Sequence, residues 1–202
     1  MQKLFLDIET LPASEEYHQT LKMMHDKKCK KDDDFGEYLL KTSFDGAYGR
    51  ILCIGYAVDD EPVEVLYNEN DEKKTLEQFW DLAQYADLFI GHNVMDFDLR
   101  FIFQRSIING VKPPQNLLNL PFARYRNNPI FDTMKEWAKW SNNSVGLEHL
   151  ALALGIPTPK DGIDGSQVWD FYKAGKVQEI LEYCKRDVET TRAVYKKMIF
   201  EE

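Results

Sequence analysis

At 202 residues, with 44% hydrophobic and 13% aromatic content, the chain can bury a sizeable core and suits a single domain, residues 1–202, with an elaborated loop. No apolar run approaches the roughly 18–20 residues that span a bilayer. Leu4-Phe5-Leu6 is too short for the core of a signal peptide, so a cytoplasmic protein with no membrane partner is expected. The net charge of −9, from 25 basic and 34 acidic residues, argues against a general nucleic-acid coat but not against an enzyme whose acids hold metal.

Residues 3–10 alternate, with Leu4, Leu6 and Ile8 on one side and Phe5, Asp7 and Glu9 on the other, which reads as a strand. Residues 12–48 are charged and weakly periodic. They read as an irregular excursion, at about 14–48, with one or two short helices. RILCIGYAV at 50–58 is a strongly apolar strand, and a turn at 59–62 joins it to a second strand at 63–67 as a hairpin. Leu76, Phe79, Trp80 and Ala83 recur at helical spacing over 75–85, and a short buried strand at 88–90 ends at Gly91.

A helix is expected over 96–108, stopped by Gly110 and Pro113-Pro114. A loop at 116–129 leads to a short strand at 130–132 and a helix carrying Met134, Trp137 and Ala138. Residues 147–154 form a helix closed by Gly155 and Pro157. Residues 160–165 link it to a short helix beginning at Ser166, and the last helix runs over about 176–199. Its apolar stripe is Val177, Ile180, Leu181, Cys184, Val188, Thr191, Tyr195 and Met198. A strand, a hairpin, then strands alternating with helices implies α/β architecture, a mixed sheet flanked by helices.

Cys29, Cys53 and Cys184 are odd in number and lack a CxxC pair, so neither a zinc ribbon nor a disulfide framework is supported; buried or idle thiols are expected. Lys27, Lys28, Lys30, Lys31, Arg100, Arg105, Arg124 and Arg126 could offer local basic surface, or simply solvated faces. Trp137, Trp140 and Trp169 read as core rather than base-stacking residues.

Three short segments carry chemistry. In Asp7-Ile8-Glu9-Thr10, two carboxylates two residues apart on a strand share a face and can share a cation, although a solvated edge looks the same. In Gly91-His92-Asn93-Val94-Met95-Asp96-Phe97-Asp98, a strand turns into a helix beside aspartates that could equally cap it. In Tyr183-Cys184-Lys185-Arg186-Asp187, a tyrosine and an aspartate four residues apart share a helix face.

In that order, Asp7-x-Glu9, Asn93-x3-Phe97-Asp98 and Tyr183-x3-Asp187 resemble the three motifs of proofreading-type 3′→5′ exonucleases of the ribonuclease H-like fold, in their tyrosine (DEDDy) form. The histidine form needs histidine five residues before the last aspartate, where Glu182 stands. The second motif is similar to that of family B DNA polymerase exonuclease domains. LEHLALALGIP at 147–157 and GIDGSQVWDFYKAGKVQEILEYCKRDVETTR at 162–192 look like stand-alone predicted exonucleases related to that domain.

The resemblance implies a ribonuclease H-like mixed sheet of about five strands. It implies Asp7, Glu9, Asp98 and Asp187 as ligands of two Mg²⁺ or Mn²⁺ ions, with Asp7 bridging, Glu9 and Asp187 holding the ion that serves the attacking water, and Asp98 holding the second. Tyr183 would orient that water. Thr10, Asn93 and Phe97 are candidates for binding the terminal nucleotide; His92, Asp132, Ser166 and Gln167 could help shape the pocket. Asp96 is out of register and reads as a helix-start acid. Hard cations prefer such oxygen donors to sulfur or imidazole, which suits four acids without a cysteine or histidine cluster. The implied substrate is a single-stranded 3′ end, DNA favoured over RNA, with a separate polymerase or repair protein as a further partner. An RNA-trimming enzyme, a ribonuclease H-like endonuclease and a non-catalytic nucleic-acid-binding module are the alternatives.

Overall fold

The computed structural model describes residues 1–28, 34–158 and 163–201. Five strands form one mixed sheet: β1 (Lys3–Leu11), β2 (Arg50–Val58), β3 (Glu64–Leu66), β4 (Leu88–Gly91) and β5 (Ile130–Asp132), in the order β3-β2-β1-β4-β5. The hairpin partners β2 and β3 are antiparallel, as β1 and β2 are, while β4 and β5 run parallel to β1. β1 is thus central, with neighbours on both sides.

The alternation in β1 decides which helices lie on which face. Leu4, Leu6 and Ile8 pack with Leu76, Phe79 and Trp80 of α3 (Glu72–Ala83) and Leu99 and Ile102 of α4 (Asp98–Asn109). Removing each of these side chains from water contributes about 1.5–3 kcal/mol. On the other face, Phe5 packs with Val188 and Tyr195 of α8 (Val177–Met198), and Leu11 with Ile180 and Cys184. Gly55, opposite Asp7 in the β1–β2 register, lets α8 come this close: a Cβ there would stand 2.8 Å from Cys184 Sγ. The pairing slips between Glu9 and Thr10, and the consecutive β2 residues Leu52 and Cys53 both join the cluster beneath α8. Such a bulge bends a strand locally.

The excursion after β1 contains α1 (His18–Lys28) and α2 (Phe35–Lys41), with one-turn 3₁₀ segments at Glu15–Tyr17 and Thr42–Phe44. Asp34 caps α2 by accepting from the N–H groups of Gly36 and Glu37. His25 is buried against the rings of Phe35 and Tyr38. Lys30, Lys31 and Cys29 lie outside the described residues, as do residues 160–162 of the expected linker.

Helix starts differ from the sequence expectation. α3 begins at Glu72 instead of residue 75, because Asp71 caps it by accepting from Lys74 N–H. Glu72 then turns inward to Arg105, Asn109 and the Ile51 N–H. α4 begins at Asp98 instead of residue 96: Asn93 is left-handed (φ 62°) and residues 94–97 complete a turn first. Gly110, also left-handed, closes α4 as expected.

α5 (Thr133–Trp137), α6 (Leu147–Ala153) and α7 (Val168–Lys173) complete the helices among the described residues. Trp137 is not core but 47% exposed, a correction to the sequence expectation. The five-residue α5 buries only Thr133 and Met134 before left-handed Lys139 and Trp140 carry the chain away. Trp140 and Trp169 are partly buried. Among the described residues, no helix is long and apolar enough to cross a membrane.

Candidate active site

Asp7 and Glu9 project from β1 toward α8, as alternation requires. One carboxylate oxygen of each and Cys184 Sγ all lie within 4.8 Å of one another. Asp98, the first residue of α4, is buried and reaches β1 from the other side: its Oδ1 accepts a 3.0 Å hydrogen bond from the Ile8 N–H, between the two β1 acids. Tyr183 and Asp187 lie one turn apart on α8, with the phenol beside the Asp187 carboxylate. Gly165, in the 3₁₀ turn before α7, has an ideal Cβ position 3.9 Å from the Tyr183 hydroxyl, so this turn lies against the phenol.

The electrostatics follow from crowding acids away from water. Burial, then the charges of Asp98 and Asp187, push the Asp7 pKa well above the usual carboxylate range. Burial and Asp7 do the same to Glu9. Burial raises Asp98 to about 7 against the opposing pull of backbone N–H groups, including that of Ile8. Burial raises Asp187 to about 6, opposed by the Tyr183 hydroxyl and Arg186. Tyr183 is pushed upward by burial and by Asp187, Glu9 and Asp7, and so stays a phenol.

Cys184, expected only as a buried thiol of the α8 stripe, lies next to the β1 acids. Its Sγ lies 3.7 Å from both the backbone oxygen and Oδ2 of Asp7. One residue past Tyr183, a side chain is rotated about a quarter-turn around the helix, which aims Cys184 at the sheet. It is buried beside Cys53 and both thiols are free, which matches the expectation of buried thiols. A hydrogen bond with Cys53 and burial raise the Cys184 pKa, so it stands under Asp7 as an S–H group rather than a thiolate ligand. The oxygen donors of Asp7 and Glu9, with Asp98 bonded between them, are of the kind that suits a hard divalent cation.

Among the candidates for binding a nucleotide, Thr10 donates its hydroxyl hydrogen to Ser43 O at 2.7 Å and so ties the excursion to β1. Asn93 occupies the left-handed turn, and Phe97 packs against Phe101. His92 is satisfied locally by Thr133 Oγ1 (2.9 Å) and Val145 O (2.7 Å). Ser166 and Gln167 serve the cap around Asp164. Asp96, in the turn before α4, pairs with Arg100 and Lys135.

Asp132 does more than its local pattern indicates. Besides capping α5 at Met134 and Lys135, it accepts from Asn93 N–H (3.0 Å) and Met95 N–H (3.1 Å) and so braces the turn leading to Asp98. The link back to residues 93 and 95 depends on β4 and β5 lying side by side. Arg105 is committed to Glu72 in a buried pair rather than to open basic surface. A cavity of about 870 Å³ beyond the end of β1, lined by Leu11, Arg50, Glu72 and Arg105 among others, includes none of the four carboxylates.

A protein-family profile described as a predicted 3′-5′ exonuclease related to the exonuclease domain of PolB matches residues 47–201. The chain belongs to that family. The fold of this family member is similar to that of a family B DNA polymerase from the hyperthermophilic archaeon Pyrobaculum calidifontis, at TM-score 0.67 and 16% identity. That likeness covers 98% of this chain and 24% of the polymerase, so the chain spans a minor part of that protein's length. Compared with curated proteins, the chain has no significant match. The mixed five-stranded sheet flanked by helices is the ribonuclease H-like α/β class expected from the sequence.

Proposed function

We propose that the protein is a divalent-cation-dependent 3′→5′ exonuclease that hydrolyses phosphodiester bonds at the 3′ end of single-stranded DNA. The observation that supports this reading is that Asp7 and Glu9 stand side by side on β1 with Asp98 bonded to the Ile8 N–H between them, while the charges of Asp98 and Asp187 act on Asp7. In the proposal these four acids hold two ions. The Ile8 N–H fixes one Asp98 oxygen and so orients the carboxylate. Two Mg²⁺ or Mn²⁺ ions so held would stabilise the charge that builds on the phosphate and favour deprotonation of the attacking water.

Tyr183 is not the base, because its raised pKa keeps the proton on the phenol. The phenolic oxygen can accept a hydrogen bond from the attacking water, aiming a water lone pair at phosphorus. The link to polymerase exonuclease domains favours DNA over RNA and a separate polymerase or repair protein as partner.

The test uses 5′-labelled single-stranded DNA and RNA oligonucleotides of the same sequence, with Mg²⁺ or Mn²⁺ and with EDTA, plus a closed circular single strand. Stepwise shortening of the linear DNA, abolished by EDTA, with the circle intact, is expected. Shortening of RNA alone would transfer the proposal to an RNA-trimming enzyme. Cutting of the circle would make the protein an endonuclease. Binding without hydrolysis of either strand would leave a non-catalytic module.

A further inference from the structure

We infer that Phe44 is a stacking platform for the unpaired base at the 3′ terminus, an inference that rests on the exonuclease reading. Phe44 is 69% exposed, yet the turn that carries it, Thr42–Phe44, is firmly held. Thr42 and Ser43 are buried, Thr42 Oγ1 accepts from the Ala13 N–H at 2.9 Å, and Ser43 O accepts from Thr10 Oγ1 at 2.7 Å. Ser43 Oγ donates to Leu40 O at 2.8 Å. An aromatic ring fixed by its backbone but left in water is ready to bind a flat apolar face with little ordering cost.

Its surroundings select the ligand. The ring centroid lies 6.2 Å from that of Phe97, which lies 5.6 Å from that of buried Phe101, so a run of aromatic rings leads from the core to solvent. The residues that flank the turn adjoin the acids: Thr10 follows Glu9 and Phe97 precedes Asp98. A base stacked on Phe44 would therefore belong to a nucleotide close to the carboxylates. Stacking accepts any of the bases, as an enzyme that must remove each in turn requires. It also needs the base to be unpaired, which ties the preference for single strands to one side chain. The turn lies outside residues 47–201, within the excursion, so the platform is an addition to the part of the chain that matches the family.

The experiment compares the full chain with Phe44→Ala and Phe44→Tyr on two 5′-labelled single strands, one ending in an ordinary nucleotide and one whose terminal residue is abasic. On the ordinary end, Phe44→Ala should raise KM by about tenfold, with the loss falling on KM more than on kcat, and Phe44→Tyr should restore it. On the abasic end, wild type and Phe44→Ala should be alike, because no base remains to stack. Binding gives a second readout: in an Asp7→Asn background, fluorescence of a 3′-terminal 2-aminopurine should be quenched with Phe44 present and recover with Phe44→Ala. Equal KM values on the ordinary end, or an equal loss on both ends, would overturn the platform while leaving the exonuclease standing. A wild-type protein that shortens neither strand would instead remove the exonuclease reading on which the platform rests. An unquenched terminal base bound to the Phe44-containing protein would point to another occupant of the ring.

Discussion

At the scale of single residues, the site is defined by acids that would repel one another without a counter-charge. Asp7 lies at the centre of that repulsion, since burial, Asp98 and Asp187 all raise its pKa. Asp7→Asn keeps the shape and removes a charge. It should cost on the order of 10³-fold in nuclease rate while the metal-free protein melts no earlier than wild type. An Asp7→Asn chain that fails to fold would make Asp7 a structural residue. Tyr183→Phe removes the hydroxyl beside Asp187 and keeps the ring. Turnover should fall by about 10²-fold, with Mn²⁺ affinity, measured by titration calorimetry, nearly unchanged. Wild-type turnover in that variant would take the phenol out of the mechanism. Asp7, Glu9, Asp98, Tyr183 and Asp187 are candidates only through the resemblance of three motifs, taken in order, to a known family, since each spacing by itself fits a solvated edge, a helix cap or an ordinary helix face. Cys184 as a neighbour of Asp7 could not, because a helix stripe marks a residue as inward-facing without saying what it faces.

At the scale of elements, the turn between β4 and α4 aims Asp98, and Asp132 at the end of β5 holds that turn. Asp132→Ala would strand the N–H groups of Asn93 and Met95 and uncap α5. Chemical denaturation should show a loss of about 3 kcal/mol or more, and activity should fall even where the chain stays folded. A loss within 0.5 kcal/mol of zero, allowing for the error of extrapolation, would mean that the turn holds itself. Elements with a strong period were read correctly: β1, β2 and β4 from alternation or continuous apolarity, and α8 from its stripe. Val194 was missed in that stripe because it packs sideways on Leu150 and Ala151 of α6 rather than on the sheet. The helices of the excursion are hard to read because α1 is polar over most of its length and buries little besides Leu21 and His25.

At the scale of the whole molecule, the raised carboxylate pKa values make stability depend on pH and metal together. Asp98 at about 7 and Asp187 at about 6 bind protons more tightly folded than unfolded. Their contribution is fully present below their unfolded value, near 3.8, and is lost as pH rises through about 6 to 7. In EDTA, Tm should therefore fall between pH 5 and pH 8 from these groups. Mg²⁺ at 100 times its Kd should restore about 5–10 °C at pH 8 and less at pH 5, where protons compete. Differential scanning calorimetry at both pH values checks this, and a Tm indifferent to Mg²⁺ at pH 8 would count against a shared cation site.

The sequence by itself determined the sheet's alternating strand, the hairpin, the glycine-closed helices and the order of the three acidic motifs, because each is written in residues close together along the chain. Only the tertiary structure decided that Ile8 anchors Asp98, that Gly55 admits α8 at Cys184 and Val188, that Asp132 steadies the turn before α4, and that an exposed Phe44 stands beside Phe97. Those relations join residues tens of positions apart or more. They arise from which strands pair and which faces must leave water, and no local pattern encodes that choice.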